Sequence, residues 1–387
     1  MTPARIAQTT STANPARILL AAGGTGGHLF PAEALAHELL ARGLAVDLVT
    51  DERGQGFGDK LSSVAVHRIA AGGVAGKGMG TRLRNISRLG IGYLQSRRLI
   101  KRLQPSVTVG FGGYPSVPPL LAAQHAGVKT LLHEQNAVAG RANRFLLKHA
   151  SKVATSFSSV KFLDQVQANR RVLTGNPVRP EIAAIAALPY AAPTSDGPFN
   201  LLVVGGSQGA RVFGELLPPA IALLPAELRA RLHLTQQCRA EDLDKVAAQY
   251  RALDLVVELQ PFFRDIPARL AATHLLIARA GASTVAELTA AGRPAVMVPL
   301  PNSIDDHQAA NAAGLADAGG GWVAAQKDVD PARLAGLLAD LITHPAKLAA
   351  AADTARRLGH RDAAQALADL VIGLLPGAVA QDLQETR

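Results

Sequence analysis

The sequence predicts an α/β protein built as two Rossmann-like, doubly wound domains facing a shared cleft. Three observations predict it. At 387 residues the chain exceeds the roughly 100–200 residues typical of one domain. Short β-rich apolar runs, glycine turns and amphipathic helices alternate along it, which is the signature of parallel sheets. The alternation lapses over 185–198 (IAALPYAAPTSDGP), a stretch with three prolines and a glycine, and then restarts.

Residues 17–22 (RILLAA) read as the first strand, GGTGGHL as a turn and Pro31–Arg42 as a helix, with proline near its first position and Gly43 just past its end. LAVDLVT is the second strand. Val107–Val109 leads into GFGGY, Thr130–Leu132 into HEQN, and Lys152–Thr155 into the turn before Gln165. These elements make a first domain at 17–184, preceded by a loose polar tail at 1–16 that lacks the apolar core of a signal peptide. After the linker at 185–198, a second domain at 199–361 opens as the first did, with strand NLLVVGG, turn SQGAR and helix Val212–Leu223. Strands are expected at Leu232–Thr235, Val256–Leu259, Leu275–Ala278 and Ala295–Val298, and helices at 283–291, 306–317 and 331–342. An apolar helix at about 362–375 ends the pattern, and a tail of this kind can cross back onto the first domain. Strand C-termini of doubly wound sheets point at the ligand crevice, so the two halves should share one cleft.

A chain with 48% hydrophobic and 18% charged residues can bury a large core, which excludes global disorder. A single cysteine, Cys238, excludes a disulfide-stapled scaffold and suits a reducing cytoplasm. The net charge of +10 is unevenly spread: residues 1–175 carry +14 and the remainder −4. Between Asp59 and Glu134 there is no acidic residue but eleven Lys and Arg, a segment suited to an anionic surface. Only 4% of residues are aromatic, leaving few platforms for base stacking, and no nucleic-acid motif occurs, so a nucleic-acid partner is not expected. No run approaches the ~18 apolar residues of a membrane span. Leu83–Leu103 is amphipathic, with Ile86, Leu89, Tyr93, Ile100 and Leu103 at helical spacing, Ser96 interrupting, and Arg84, Arg88, Arg97, Arg98, Lys101 and Arg102 alongside. Such a helix either covers its own core or rests on anionic lipid.

Four segments could carry chemistry. Gly23-Gly24-Thr25-Gly26-Gly27-His28 lies between a strand and a helix, where glycines let backbone amides approach an anion at a helix N-terminus. Leu29 stands where the dinucleotide fingerprint needs its third glycine. Gly205-Gly206-Ser207-Gln208-Gly209-Ala210-Arg211 repeats the geometry in the second half, and two such turns across a cleft suit a diphosphate or two anionic substrates. In Arg279–Glu287, Glu287 lies one helical turn beyond Ser283 and could accept from vicinal ribose hydroxyls; alternatively Ser283 serves as a helix cap. Asp305 and Asp306 are expected to cap a helix that points His307 and Gln308 at the cleft. Gly76-Lys77 fails as a phosphate loop, since Ala71 and Gly78 miss at both ends, and Asp330 before Pro331 reads as a helix cap. The eleven histidines form no ligand cluster, so neither a metal nor another cofactor is expected.

GGTGGH, GFGGYPS at 110–116, HEQN at 133–136, GNPVR at 175–179, GGSQGAR at 205–211, AGASTVAEL at 280–288 and DDHQAAN at 305–311 follow one another in a fixed order. In this the chain, from about residue 17 to 375, resembles the MurG family of GT-B glycosyltransferases. The resemblance implies an inverting hexosyltransferase that moves GlcNAc from UDP-GlcNAc to the 4-hydroxyl of the MurNAc-pentapeptide of lipid I, giving lipid II for peptidoglycan synthesis. It places the nucleotide on the second domain and the lipid-linked acceptor on the first. It also implies peripheral attachment to the anionic inner-leaflet surface, on the cytoplasmic face of the bacterial inner membrane.

Residue by residue, the resemblance puts Ser207 at the donor diphosphate, Glu287 at the ribose, and Ala282, Ser283 and Thr284 in the same turn. Backbone groups at Phe263 would read uracil and Gln308 would bind GlcNAc hydroxyls, while Thr25, Gly26, Gly27, Asn136 and Arg179 complete the donor contacts. His28 is the first candidate for the general base, because an imidazole with a pKa near 6.5 suits proton removal near neutral pH. Glu134 is the second, and Tyr114 should border the acceptor with it. Two departures stand out. Arg279-Ala280-Gly281-Ala282 replaces the family's commoner RSGA, and HEQNAVAGRAN replaces the frequent variant that has a small residue and Leu/Ala after it. A related GT-B lipid glycosyltransferase with a neutral diacylglycerol acceptor would share the glycine turns and the nucleotide pocket.

Overall fold

A computed structural model describes residues 15–23, 26–52, 63–72, 79–206 and 211–377, except the side chains of 79–83. In the first domain β1 (Arg17–Ala21), β2 (Ala45–Thr50), β3 (Ala65–Arg68), β4 (Val107–Gly110), β5 (Lys129–Glu134), β6 (Lys152–Thr155) and β7 (Arg171–Leu173) form one parallel sheet in the order β3-β2-β1-β4-β5-β6-β7. In the second, β8 (Phe199–Val204), β9 (Leu232–Gln237), β10 (Val257–Gln260), β11 (Leu275–Ala278), β12 (Ala295–Met297) and β13 (Gly321–Val323) pair in parallel as β10-β9-β8-β11-β12-β13. The strand order reverses beside β1 and β8, so the C-terminal ends of those strands face the crevice where such sheets bind ligands.

Helices cover both faces of each sheet. They are α1 (Gly26–Ala41), α2 (Met79–Leu103), α3 (Val117–His125), α4 (Arg141–Leu146) and α5 (Pro180–Ile185), then α6 (Arg211–Ala222), α7 (Ala226–Arg229), α8 (Leu243–Arg251), α9 (Ile266–Ala272), α10 (Ala282–Ala290), α11 (His307–Asp317), α12 (Pro331–Thr343), α13 (Pro345–Leu358) and α14 (Ala363–Ile372). Helix α1 starts five residues before the expected Pro31. That proline stands inside the helix, so the Gly27 carbonyl has no N–H four residues on. Asp330 does cap α12, its carboxylate accepting from the Arg333 amide at 2.8 Å.

Strands buried on both faces need continuous apolar runs, and β1 and β4 supply them. Ile18 and Leu20 pack with Leu35 and Leu39 of α1 on one side; Leu19 packs with Val49, Leu99 and Ile100 on the other. Helix α14 docks on α1 and adds Leu367, Ala368 and Val371 to the first-domain core, all fully buried. Each large aliphatic buried this way contributes roughly 1.5–3 kcal/mol. An Arg42–Asp369 ion pair joins the same two helices.

Helix α5 precedes the coil at 186–198, yet it packs on the second domain, where Val178, Ile182 and Ile185 join Leu202, Leu276 and Leu288. The chain therefore passes from one packed body to the other close to Gly175 and returns close to His360. The two crossings touch. Gly175 has φ +80°, and a Cβ there would lie 2.2 Å from Cβ of His360. Helix α2 is packed into the core toward its C-terminal end and exposed on one face before it. Leu99 and Ile100 are buried in the core, whereas Ile86, Ile91 and Leu94 are 56, 51 and 56% exposed. Ser96 breaks the apolar pattern without cost, because its buried hydroxyl donates to the Gly92 carbonyl at 2.7 Å.

Candidate active site

Two cavities meet between the domains. One, of about 420 Å³, is lined from the first domain by Gly26, Gly27, His28 and Asn136, and from the second by Phe263, Ala282, Ser283, Thr284 and Glu287, with Arg179 beside them. The other, of about 320 Å³, lies against the first domain and is lined by His28, Tyr114, Glu134 and Asn136 among others. His28, Gln135, Asn136 and His307 belong to the walls of both. Of the residues expected at the site, Thr25 and Ser207 fall outside the described residues. Gln308 lines neither cavity; its Oε1 instead accepts from the Leu300 amide at 2.9 Å, and His307 takes the wall position.

The second-domain wall is built on α10. Strand β11 ends at Ala278 and Gly281 is the N-cap, with no side-chain cap bond, so the first turn presents the amides of Ala282, Ser283 and Thr284 with the positive end of the helix dipole. Ser283 is not the cap: its buried hydroxyl has no hydrogen-bond partner. One turn on, Oε1 of Glu287 accepts from Nε and Nη2 of Arg179 at 3.1 and 2.9 Å. Burial pushes the Glu287 carboxyl above its ordinary pKa, and the Arg179 guanidinium opposes that shift. Gln237 links the two neighbouring loops. Its Oε1 accepts from the Gly205 amide at 3.0 Å, and its Nε2 donates to the Pro261 carbonyl at 3.0 Å.

The first-domain wall is built from the turns after β1, β4 and β5. The His28 ring fits between two glycines: a Cβ at Gly112, where φ is +87°, would stand 3.4 Å from its Cδ2, and one at Gly23 3.5 Å from its Nδ1. Glu134 is buried and fully employed. Its oxygens accept from the Asn136 amide at 3.0 Å, the Gly140 amide at 2.8 Å and Nδ2 of Asn143 at 2.8 Å. Burial raises its pKa and those bonds hold it down. This carboxylate shapes the loop from Asn136 to Asn143, a task that competes with service as a base. Between the domains, buried Asn311 accepts from the Ala137 amide at 2.8 Å and donates to Oδ1 of Asn136 at 3.1 Å and to the Ala280 carbonyl at 3.1 Å.

The expected cap at Asp305-Asp306 is corrected. Asp306 is the N-cap of α11 in the left-handed region, φ 53°, and makes no side-chain cap bond. Asp305, also at φ 53°, reaches across to the first domain and accepts from Arg141 at 3.2 Å and from Arg144. Sequence reasoning missed Gln237, Asn311 and the Arg141–Asp305 contact. Gln135 and Asn311 had a signal, since they stand inside HEQN and DDHQAAN. Among the described residues, no three His, Cys, Asp or Glu side chains come together as a metal site.

Comparison with known proteins agrees with this geometry. Residues 18–155 match the glycosyltransferase family 28 N-terminal domain and residues 200–367 the family 28 C-terminal domain. The UDP-N-acetylglucosamine–N-acetylmuramyl-(pentapeptide) pyrophosphoryl-undecaprenol N-acetylglucosamine transferase of Rhodospirillum centenum is 54% identical over 358 residues, 92% of this chain and 94% of that one. The protein of the same name from Paramagnetospirillum magneticum is 51% identical, over 93% of this chain and 97% of its own. The crystal structure of Acinetobacter baumannii MurG superposes with a TM-score of 0.76 at 31% identity, covering 92% of this chain and 99% of that one.

Proposed function

The chain belongs to glycosyltransferase family 28, and from that premise we propose that it transfers N-acetylglucosamine from UDP-GlcNAc to the 4-hydroxyl of the MurNAc-pentapeptide of lipid I, forming lipid II and UDP. The observation that carries this reading is His28 in a wall common to two cavities, one lined by α10 and one by the first-domain turns. The donor takes the first and the acceptor the second.

The donor's diphosphate lies at the first turn of α10, where the amides of Ala282–Thr284 and the helix dipole stabilise the charge UDP gains as it leaves. Ser207 adds a hydroxyl there. Glu287 accepts from the ribose hydroxyls, and the bonds from Arg179 aim it. Phe263 backbone groups meet the uracil. His28 removes the proton from the attacking 4-hydroxyl while the oxygen closes on the anomeric carbon from the face opposite UDP. The bond to UDP breaks in the same displacement, so the α-linked sugar becomes β-linked. Glu134 supports this indirectly through the loop that carries Asn136, and Tyr114 borders the acceptor.

The chain works as a peripheral protein at the anionic inner leaflet, on the cytoplasmic face of the inner membrane. Among the described residues no helix is long and apolar enough to cross a bilayer. Exposed Ile86, Ile91 and Leu94 stand on a helix with exposed Arg84, Arg97 and Arg98, a combination suited to the headgroup region. The test is UDP release from UDP-GlcNAc with a lipid I analogue and, separately, with diacylglycerol. Turnover with the first alone supports the assignment. Turnover with diacylglycerol alone, or with neither, overturns it.

A further inference from the structure

Arg141 and Arg144 lie one turn apart on α4, and both guanidiniums converge on one carboxylate, that of Asp305, across the domain gap. Arg141 and Asp305 line the first-domain cavity with His28 and Tyr114. The loop that delivers Asp305 is bent into place. Asn302, Asp305 and Asp306 all have φ between 53° and 55°. Left-handed geometry is unfavourable for L-residues, somewhat less so for Asn and Asp. Two guanidiniums around one carboxylate make the same fork that grips a phosphate edge. Without Asp305 the pair is a doubly positive site at the edge of a cavity.

We propose that Arg141 and Arg144 are the subsite for the diphosphate of the acceptor, and that Asp305 is its internal stand-in. The inference rests on the reading of that cavity as the acceptor site. An arriving diphosphate exchanges with the Asp305 carboxylate, takes both guanidiniums and releases the strained loop. Because Asp305 belongs to the second domain and the arginines to the first, the exchange also unfastens one tie between them. The second domain's loop in turn discriminates against weaker anions, which must displace a carboxylate already in place.

Calorimetric titration of the full chain with inorganic pyrophosphate tests this, with UDP present at saturation so that the donor's own diphosphate site is filled. The parent should bind one pyrophosphate. Asp305→Asn should bind it about threefold to tenfold tighter, because competing ion pairs at a partly exposed site are lost. Arg141→Gln with Arg144→Gln should bind it at least about tenfold more weakly, the scale of a lost charged hydrogen bond. Arg141→Gln alone, at a residue 55% exposed, should show an intermediate loss and tolerate folding. Unchanged affinity in Asp305→Asn or in the arginine variants overturns the proposal, as does inorganic phosphate binding as tightly as pyrophosphate. The titration needs no turnover. If it behaves as stated and lipid I is not a substrate, the subsite stands and the acceptor assignment falls.

Discussion

The Nε2–H of His133 donates to the carbonyl of Gly175 at 3.0 Å, tying β5 to the first chain crossing between the domains. The other ring nitrogen accepts from Gln135, whose amide also donates to the Phe111 carbonyl. Burial pushes His133 down to about 4 from 6.5, so the folded chain keeps this ring neutral where the unfolded chain has already taken a proton. Stability from this group is complete above about pH 6.5 and is lost as pH falls toward 4, on the order of 3 kcal/mol in all. Denaturant unfolding at pH 7 and pH 4.5 measures it. His133→Gln can still donate to Gly175 but takes up no proton, and should lose less stability between the two pH values. Equal losses would discount this histidine.

Replacing His28 by alanine should lower turnover by roughly 10²–10⁴-fold, the range for a positioned base, while UDP affinity stays near that of the parent. Steady-state kinetics beside UDP titration separates the two effects. Near-normal turnover would move the base role to another group.

Glu287→Gln should raise the KM for UDP-GlcNAc by about 10- to 100-fold, the worth of hydrogen bonds to a charged group, with a smaller change in kcat. If UDP and UMP both bind the variant as they bind the parent, Glu287 does not hold the ribose.

Neutralising Arg84, Arg88, Arg97 and Arg98 together should weaken binding to vesicles of anionic lipid by several orders of magnitude at low salt, at about 1 kcal/mol per charge near the surface. Co-sedimentation reads this directly. An unchanged bound fraction would leave α2 with its packing role only.

Gly175→Ala places a methyl group against His360 at a position with φ +80°. Thermal unfolding should begin several degrees lower, from roughly 1–2 kcal/mol of backbone strain plus the collision. His360→Gly should recover part of the loss, and no recovery would mean that the crossings do not touch.

Much of this was legible in the chain itself, for identifiable reasons. The central strands announced themselves because parallel strands buried on both faces must be apolar throughout, as in RILLA and LLIA. The edge strands β3, β7 and β13 did not. They are three or four residues long and only partly buried, so neither a run nor an alternation develops. Helix α3 was hidden by Pro118 and Pro119, which its first turn accommodates but which read as a loop. At the site, motifs located Glu287 and His28 but not the orientation of side chains. That is why Gln308 was expected at the cleft beside His307, which alone of the two lines it, and why Asp305 was expected to cap a helix that it does not cap. Contacts between residues about 160 positions apart, such as Arg141 with Asp305, leave no mark in local spacing.

The docking of α14 on α1 reverses the order in which the two domains can be finished during synthesis. Ile18, Leu35 and Leu39 leave the ribosome before the second domain, but Leu367, Ala368 and Val371, which close the same core, follow it. The second domain lies wholly between the two crossings and can complete its own core first. The half begun first is thus completed last, and throughout elongation it carries an uncovered apolar stripe on α1. A nascent chain stalled before Ala363 would display that stripe, a natural place for a chaperone to hold it until α14 arrives.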